Sequence, residues 1–205
     1  MSTDHSITFS ELRTDRLLLR PLREEDRAPF IAYHERSRDH LRPWSPRMPE
    51  GVTLDQFFTQ QLDRAQRGLA DGTVLRLGAF LLDGNELVGM FNLNNIVRGV
   101  FEGADAGWQI AARHTGKKLA TEGVYALLDI ALAPPHPAPA HPRGLNLHRV
   151  QANIIPQNTA SLKVAENCGF RREGLAEKML KINGAWQDHV MHAKLACEHE
   201  CRWLR

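Results

Sequence analysis

The chain has 205 residues, with 26 Lys+Arg against 24 Asp+Glu for a formal net charge of +2, and it is 42% apolar and 24% charged. These are ordinary globular proportions, enough for a single domain over 1–205, and a balance so close to neutral lacks the dense positive field that nucleic-acid binding draws on, so no direct nucleic-acid partner is expected. The longest nearly uncharged apolar stretches fall well short of the roughly 20 residues that span a bilayer, no signal-peptide pattern opens the chain, and three cysteines make no disulfide framework, which predicts a cytoplasmic protein without a membrane partner.

Residues 16–22 (RLLLRPL) are a short apolar run closed by proline, which predicts a first strand. Residues 24–36 predict a helix, with Glu24, Glu25 and Asp26 suiting the positive end of its dipole. Three prolines and Trp44 within 41–51 predict a loop. Thr53 with Gln56 forms a capping box ahead of Leu54, Phe58, Leu62, Ala65 and Leu69 at helical spacing, a second helix. The runs 74–82 and 86–96 meet at Asp83-Gly84, a hairpin turn, and 104–110 extends them into a meander.

Residues 116–132 then read as a helix, stopped by 133–144, where five of twelve residues are proline and an extended insertion is expected. Residues 149–155 alternate as a strand, Asn158 caps a helix over 159–168, and Gly169 sits where a C-terminal cap belongs. Asn183-Gly184 joins 173–182 to 186–195 in a last hairpin. The order β-α-α-β-β-β-α-β-α-β-β predicts one α/β (α+β) domain, a mixed sheet with helices on its faces.

The most informative stretch is the turn between strand 104–110 and the next helix. A strand feeding a helix through a glycine turn exposes unpaired N–H groups, and the helix dipole adds positive potential, so an anion can bind. Arg113, His114, Lys117 and Lys118 surround Gly116 with real or potential positive charge. The bland alternative is an ordinary basic helix start. No Walker pattern or G-x-G-x-x-G is present, which disfavours ATP and dinucleotides in their standard modes.

The chain resembles the Gcn5-related N-acetyltransferases (GNAT), and within them the RimJ/RimL ribosomal-protein alanine acetyltransferases. The likeness rests on Thr14-Asp15-Arg16-Leu17, Leu41-Arg42-Pro43-Trp44, Asn92-Leu93-Asn94-Asn95, Gly107-Trp108-Gln109-Ile110, Pro156-Gln157-Asn158-Thr159-Ala160-Ser161 and Asn183-Gly184-Ala185-Trp186, nearly the whole chain. It implies a GNAT fold, a mostly antiparallel sheet of about seven strands with about four helices. It also implies acetyl-CoA as cosubstrate, no metal, and direct attack of an amine. That amine would be a protein N-terminus, as in a ribosomal protein, or a small amine such as an amino acid or an aminoglycoside-like compound. A CoA-binding or ribosome-assembly module with little catalysis is the reading from another class, and monomer and homodimer are both open.

Arg113-x-x-Gly116-x-Lys118 matches the family pattern R/Q-x-x-G-x-G/A except at its last position. Lys118 either points away from the ligand or contacts it through its ammonium. The resemblance assigns cofactor binding to Gln109, Ile110, Ala111, Arg113, His114 and Gly116. It adds Lys117, Lys118, Leu119 and Ala120, and from the following strand and helix Asn153 and Asn158. It gives Ser161 the role of assisting the leaving thiolate, with plain helix capping as the bland account. RimL-like enzymes carry a glutamate that falls here on Leu180, so the base is sought at Asp105, with Glu102 and His189 behind it; Asp105 as a solvated strand-end carboxylate is equally compatible. A weak base is tolerable for an N-terminus, since deprotonating an α-amine at pH 7 costs about 1.0–1.4 kcal/mol against about 4.6 for lysine. Trp44, Asn92 and Glu102 are expected at the acceptor side, with loop anchoring and ordinary strand polarity as the alternatives. Cys168 reads as packing rather than nucleophile. Cys197 and Cys201 with His192 and His199 permit zinc by spacing, but no metal is expected.

Overall fold

In the computed structural model, the described residues are 6–84, 86–134 and 144–204. A short strand β1 (Leu12–Arg13) turns at Thr14 and pairs with β2 (Leu17–Arg20). The Thr14 hydroxyl accepts the Leu17 amide at 3.0 Å, closing that turn. Helices α1 (Arg27–Leu41) and α2 (Leu54–Asp71) follow, then the meander β3 (Leu75–Leu81), β4 (Leu87–Val97) and β5 (Gly103–Ile110). Helix α3 (Leu119–Leu132) crosses to β6 (Arg149–Ile154), and α4 (Thr159–Asn167) leads to the hairpin β7 (Arg171–Ile182) and β8 (Ala185–Leu195).

The eight strands lie in the order β1-β2-β3-β4-β5-β6-β8-β7. Sequence reasoning gave about seven; the additional one, β1, is two residues long and has no periodicity to read. Only β5 and β6 run parallel, and a parallel pair needs a crossover, which α3 supplies. The capping box forms as expected, with Gln56 N donating to Thr53 Oγ1 and Thr53 N to Gln56 Oε1. Asn183 at φ 47° and Gly184 at φ 89° give the last hairpin the left-handed turn its sequence asks for.

Two expectations shift. Helix α1 continues to Leu41, and the Pro43 segment is one 3-10 turn (Arg42–Trp44) before the loop begins. Helix α3 starts at Leu119 instead of 116, because Gly116 (φ 73°) and Lys118 (φ 62°) are left-handed, and such residues cannot propagate a right-handed helix. Most of the Pro-rich insertion, 135–143, lies outside the described residues.

The main core fills the face covered by α3 and α4, where Phe91, Leu93, Val150 and Ala152 meet Leu127, Leu128 and Ile130. A fully buried aliphatic or aromatic side chain of this kind contributes about 1.5–3 kcal/mol. On the opposite face Phe30, Tyr33 and Phe58 from α1 and α2 pack on Phe80 and Met90. Towards half-buried Arg76, Asn92 and Asn94 this second face turns polar.

Candidate active site

The parallel pair β5 and β6 is joined only at Gly103–Arg149, Ala104–Val150 and Asp105–Gln151. Beyond that point β5 runs on to Ile110 bound to β4 alone, and β6 runs on to Ile154 bound to β8 alone. The two strands therefore part, and the facing backbone edge of residues 106–110 is left without a strand partner. Ile110 and Ile154 end at the open side, so the N-termini of α3 and α4, which follow them, stand at the mouth. The first turn of α3 brings unpaired amides, whereas at α4 the Thr159 and Ser161 amides are taken by the Gln157 carbonyl and Asn158 Oδ1, and both helix starts bring positive dipole potential.

At the α3 mouth, Lys118 is the N-cap and makes no side-chain cap hydrogen bond. Among the described residues the amides of Gly116, Lys117 and Lys118 donate to no backbone carbonyl. A Cβ built on Gly116 would meet nothing within 4 Å, so this glycine is needed for its φ and the space before it is open. The turn is clamped from behind. Glu122 accepts from Thr14 Oγ1 at 2.6 Å, Arg16 N at 2.9 Å and Arg16 Nε at 2.7 Å, and Arg16 Nη1 donates to the Lys117 carbonyl at 3.0 Å. Arg16 and Glu122 are thus positioning residues, for which the sequence pattern alone carries no signal.

Arg113 and His114 do not face that space alone. Glu86 takes an ion pair from Arg113 and a 2.9 Å bond with His114 Nε2. Burial alone would raise the Glu86 carboxyl, but His114 and Arg113 outweigh it and hold it below the ordinary value. Lys117 and Lys118, both exposed, are left as the local cations of the turn. Leu119 and Ala120 begin α3 with free amides, and Ala111 donates to the Val88 carbonyl, so it serves as part of the wall.

Asp105 sits at the apex where the strands part. Its carboxylate accepts from Asn95 Nδ2 at 2.8 Å and from Asn153 Nδ2, across the opening, at 3.4 Å. It has no ion pair among the described residues, so both of its partners are neutral. At the α4 mouth Asn158 accepts the Ser161 amide at 3.1 Å, which leaves the Ser161 hydroxyl on a half-buried first turn. Gln109 donates to Ser45 Oγ at 2.7 Å, and the Ser45 carbonyl accepts the Asn183 amide at 3.2 Å. This carries half-buried Trp44 to a rim between β5 and the β7–β8 turn.

Other expected residues are placed elsewhere. Glu102 is held in the β4–β5 turn by Arg98 and the Gly99 amide, at the closed end of β5. His189 is buried and bonded to the Gln187 carbonyl, and Leu180 is exposed on β7. Cys168 is buried against the Thr121 carbonyl, and burial pushes its thiol up to about 12, which suits packing and not nucleophilic attack. His199 joins Asp129 and Cys201, not His192 and Cys197. There Asp129 accepts from His199 and from the amides of Arg202 and Trp203, fastening the C-terminal segment to α3.

A sheet that opens at its single parallel step, with two helix N-termini at the mouth and a carboxylate at the apex, fits a phosphate-bearing thioester laid between the strands. The sequence pattern of the acetyltransferase (GNAT) domain matches residues 16–171, and the chain belongs to that family. It is an acetyl-CoA-dependent N-acetyltransferase. Among its relatives, the ribosomal protein uS5-alanine N-acetyltransferase of Escherichia coli (strain K12) is 30% identical over 182 residues, 89% of either chain. The ribosomal-protein-S5-alanine acetyltransferase of Vibrio fischeri superposes with a TM-score of 0.80 at 25% identity, covering 93% of this chain and 98% of that one. Mycobacterium smegmatis RimJ in complex with CoA-disulfide gives 0.77 at 28% identity, over 93% and 88%. No described helix is long and apolar enough to cross a membrane.

Proposed function

We propose that this enzyme, acting as one domain over 1–205, acetylates the α-amine of a protein N-terminus, with an alanine- or serine-headed ribosomal protein as the substrate class. The observation that carries the chemistry is Asp105 at the apex of the β5–β6 opening, held by two neutral amides. The named activities of the Escherichia coli and Vibrio fischeri relatives support the acceptor. Three unbridged cysteines suit the reducing cytoplasm.

Acetyl-CoA supplies a thioester carbonyl already activated for attack. The amides from Gly116 to Ala120, with Lys117 and Lys118, hold its pyrophosphate, flanked by Arg113 and His114 on Glu86. Gln109, Ile110 and Ala111 line the edge of β5 that its pantetheine follows, with Asn153 and Asn158 on the facing wall. Trp44 and Asn92 border the acceptor. The amine nitrogen forms the new C–N bond as the C–S bond breaks. The amine proton passes to Asp105 through water, and the Ser161 hydroxyl donates a hydrogen bond to the departing sulfur. A thiol near pKa 8.5 leaves readily, so Ser161 assists without having to be a strong acid.

Steady-state turnover of alanine-headed peptides with acetyl-CoA tests this reading. Asp105→Asn is expected to lower kcat about tenfold to a hundredfold, the low end for general-base catalysis because an α-amine needs little help, and Ser161→Ala to lower it less. Unchanged kcat in Asp105→Asn removes the base assignment. Turnover of small amines with none of any N-terminal peptide removes the acceptor.

A further inference from the structure

We propose that the acceptor cleft recognises a carboxylate a few residues from the reacting amine, with Arg76 as the residue that binds it, so that the enzyme favours acidic acceptors over neutral ones and over polyamines. This rests on the N-terminal acceptor reading and names the substrate class within it. Arg76 on β3 is opposite Asn92 on β4, Asn92 is opposite Gly107 on β5, and Asn94 is opposite Asp105. Side chains at paired positions share a face, so Arg76, Asn92, Asn94 and Asp105 line one floor.

Among the described residues Arg76 has no carboxylate partner, although Arg20, Arg27, Arg149 and Arg171 all do. Its Nη1 donates to Gln61 Oε1 at 3.0 Å and its Nη2 to Asn94 Oδ1 at 3.3 Å, both neutral amides. Its Nε is buried without a partner, and so is Asn92 Oδ1 across the register. Burial and the neighbouring Arg64 both push the guanidinium down from its ordinary value, and among the described residues no carboxylate pairs with it. A half-buried cation with neutral partners and a like charge beside it costs stability. An anionic ligand supplies the missing counter-charge through charge-assisted bonds, and a polycation is repelled by the same pair of arginines.

The register also sets the distance. Arg76 is two strands from β5, about 10 Å, and two to three residues along it from Asp105 and Ile110, about 7–10 Å, so the separation is about 12–14 Å. An extended peptide covers about 3.3 Å per residue, so the backbone separation spans about four residues, and the reach of the arginine and glutamate side chains shortens it, which puts the carboxylate at about the third to fifth residue of the acceptor.

The test uses alanine-headed peptides carrying Glu or Gln at positions 3, 4 and 5 in turn. With the wild-type enzyme the best Glu:Gln ratio of kcat/KM is expected to be about tenfold, which is about 1.4 kcal/mol, and to lie in KM. Arg76→Gln collapses the ratio to about one while the KM for acetyl-CoA holds, and Arg76→Lys keeps part of it. An acetyl-CoA-induced thermal shift in each variant confirms that it is folded. Binding of the N-acetylated Glu and Gln peptides to the CoA-saturated enzyme reads the same ratio without turnover. Free glutamate and spermidine complete the set. Turnover of glutamate with none of any peptide removes the N-terminal acceptor, whereas the Glu:Gln binding ratio and its loss in Arg76→Gln read the carboxylate site separately. Equal Glu and Gln values at all three positions, or spermidine outpacing both, overturn the proposal.

Discussion

Gly123 couples the packing of α3 to the grip of the α3 N-terminus. A Cβ added there would lie 2.2, 2.5 and 2.7 Å from three atoms of the Phe91 ring. Phe91 is fully buried in the centre of β4, and a Cβ on Gly89 would meet the same ring at 3.1 Å, so the ring has no space to swing into. Restoring an ordinary carbon–carbon separation of about 3.5–4.0 Å requires α3 to retreat by about 1.5 Å. Gly→Ala inside a helix contributes about 1 kcal/mol through propensity, against about 1–3 kcal/mol for overpacking, a net loss of about 0–2 kcal/mol. The larger effect falls on binding. Glu122, which holds the Gly116 turn through Thr14 and Arg16, is the neighbouring residue. Displacements of about 1 Å at a site can cost about a hundredfold. Urea unfolding and acetyl-CoA saturation kinetics together measure both effects. Gly123→Ala is expected to unfold slightly earlier and to raise the KM for acetyl-CoA at least tenfold. A variant that gains about 1 kcal/mol with an unchanged KM would refute the coupling.

Gly116→Ala touches no other atom, so its cost is backbone strain of about 1–2 kcal/mol at φ 73°, with Gly116→Asn milder; both are read by the acetyl-CoA-induced thermal shift. Asp26 takes two bonds from Arg20, at 2.6 and 2.8 Å, with both side chains buried. Asp26→Ala strands that guanidinium, and a loss of about 3–5 kcal/mol, seen as a Tm drop of roughly 10 °C, is expected in calorimetry. Burial among Phe30, Tyr33 and Phe57 pushes His34 down to about 4. The unfolded chain therefore binds the proton first, so stability present above pH 6.5 is lost as pH falls towards 4, by about 1–3 kcal/mol, and His34→Leu flattens that slope in a pH series of urea melts. Cys168→Ala is expected to retain turnover, and iodoacetamide at pH 8 to leave Cys168 unlabelled in the folded enzyme by mass spectrometry, since its thiol is buried and pushed up to about 12.

Much of the architecture is local and therefore readable along the chain. The capping box at Thr53, the Asn183-Gly184 turn and the alternation of 149–155 each express a short-range steric or hydrogen-bonding preference, and each element forms within about two residues of its expected place. The glycine turn before α3 was legible for the same reason, because Gly116 marks a left-handed position and a helix start follows it. What sequence could not show is which partners meet. Glu86 pairs with Arg113 and bonds His114 from 27 and 28 residues away, and Glu122 clamps Thr14 and Arg16 across more than 100, so neither follows from spacing. Glu102 and Asp105 look alike as strand-end acids, yet one is held in a turn by Arg98 and the other stands where two strands part. Arg76 is one basic residue in an apolar run until the register sets it beside Asn92 and Asn94 without a counter-charge. Backbone preferences act over a few residues and are written in their order; ion pairing, desolvation and strand divergence depend on distances through space, which the fold alone sets.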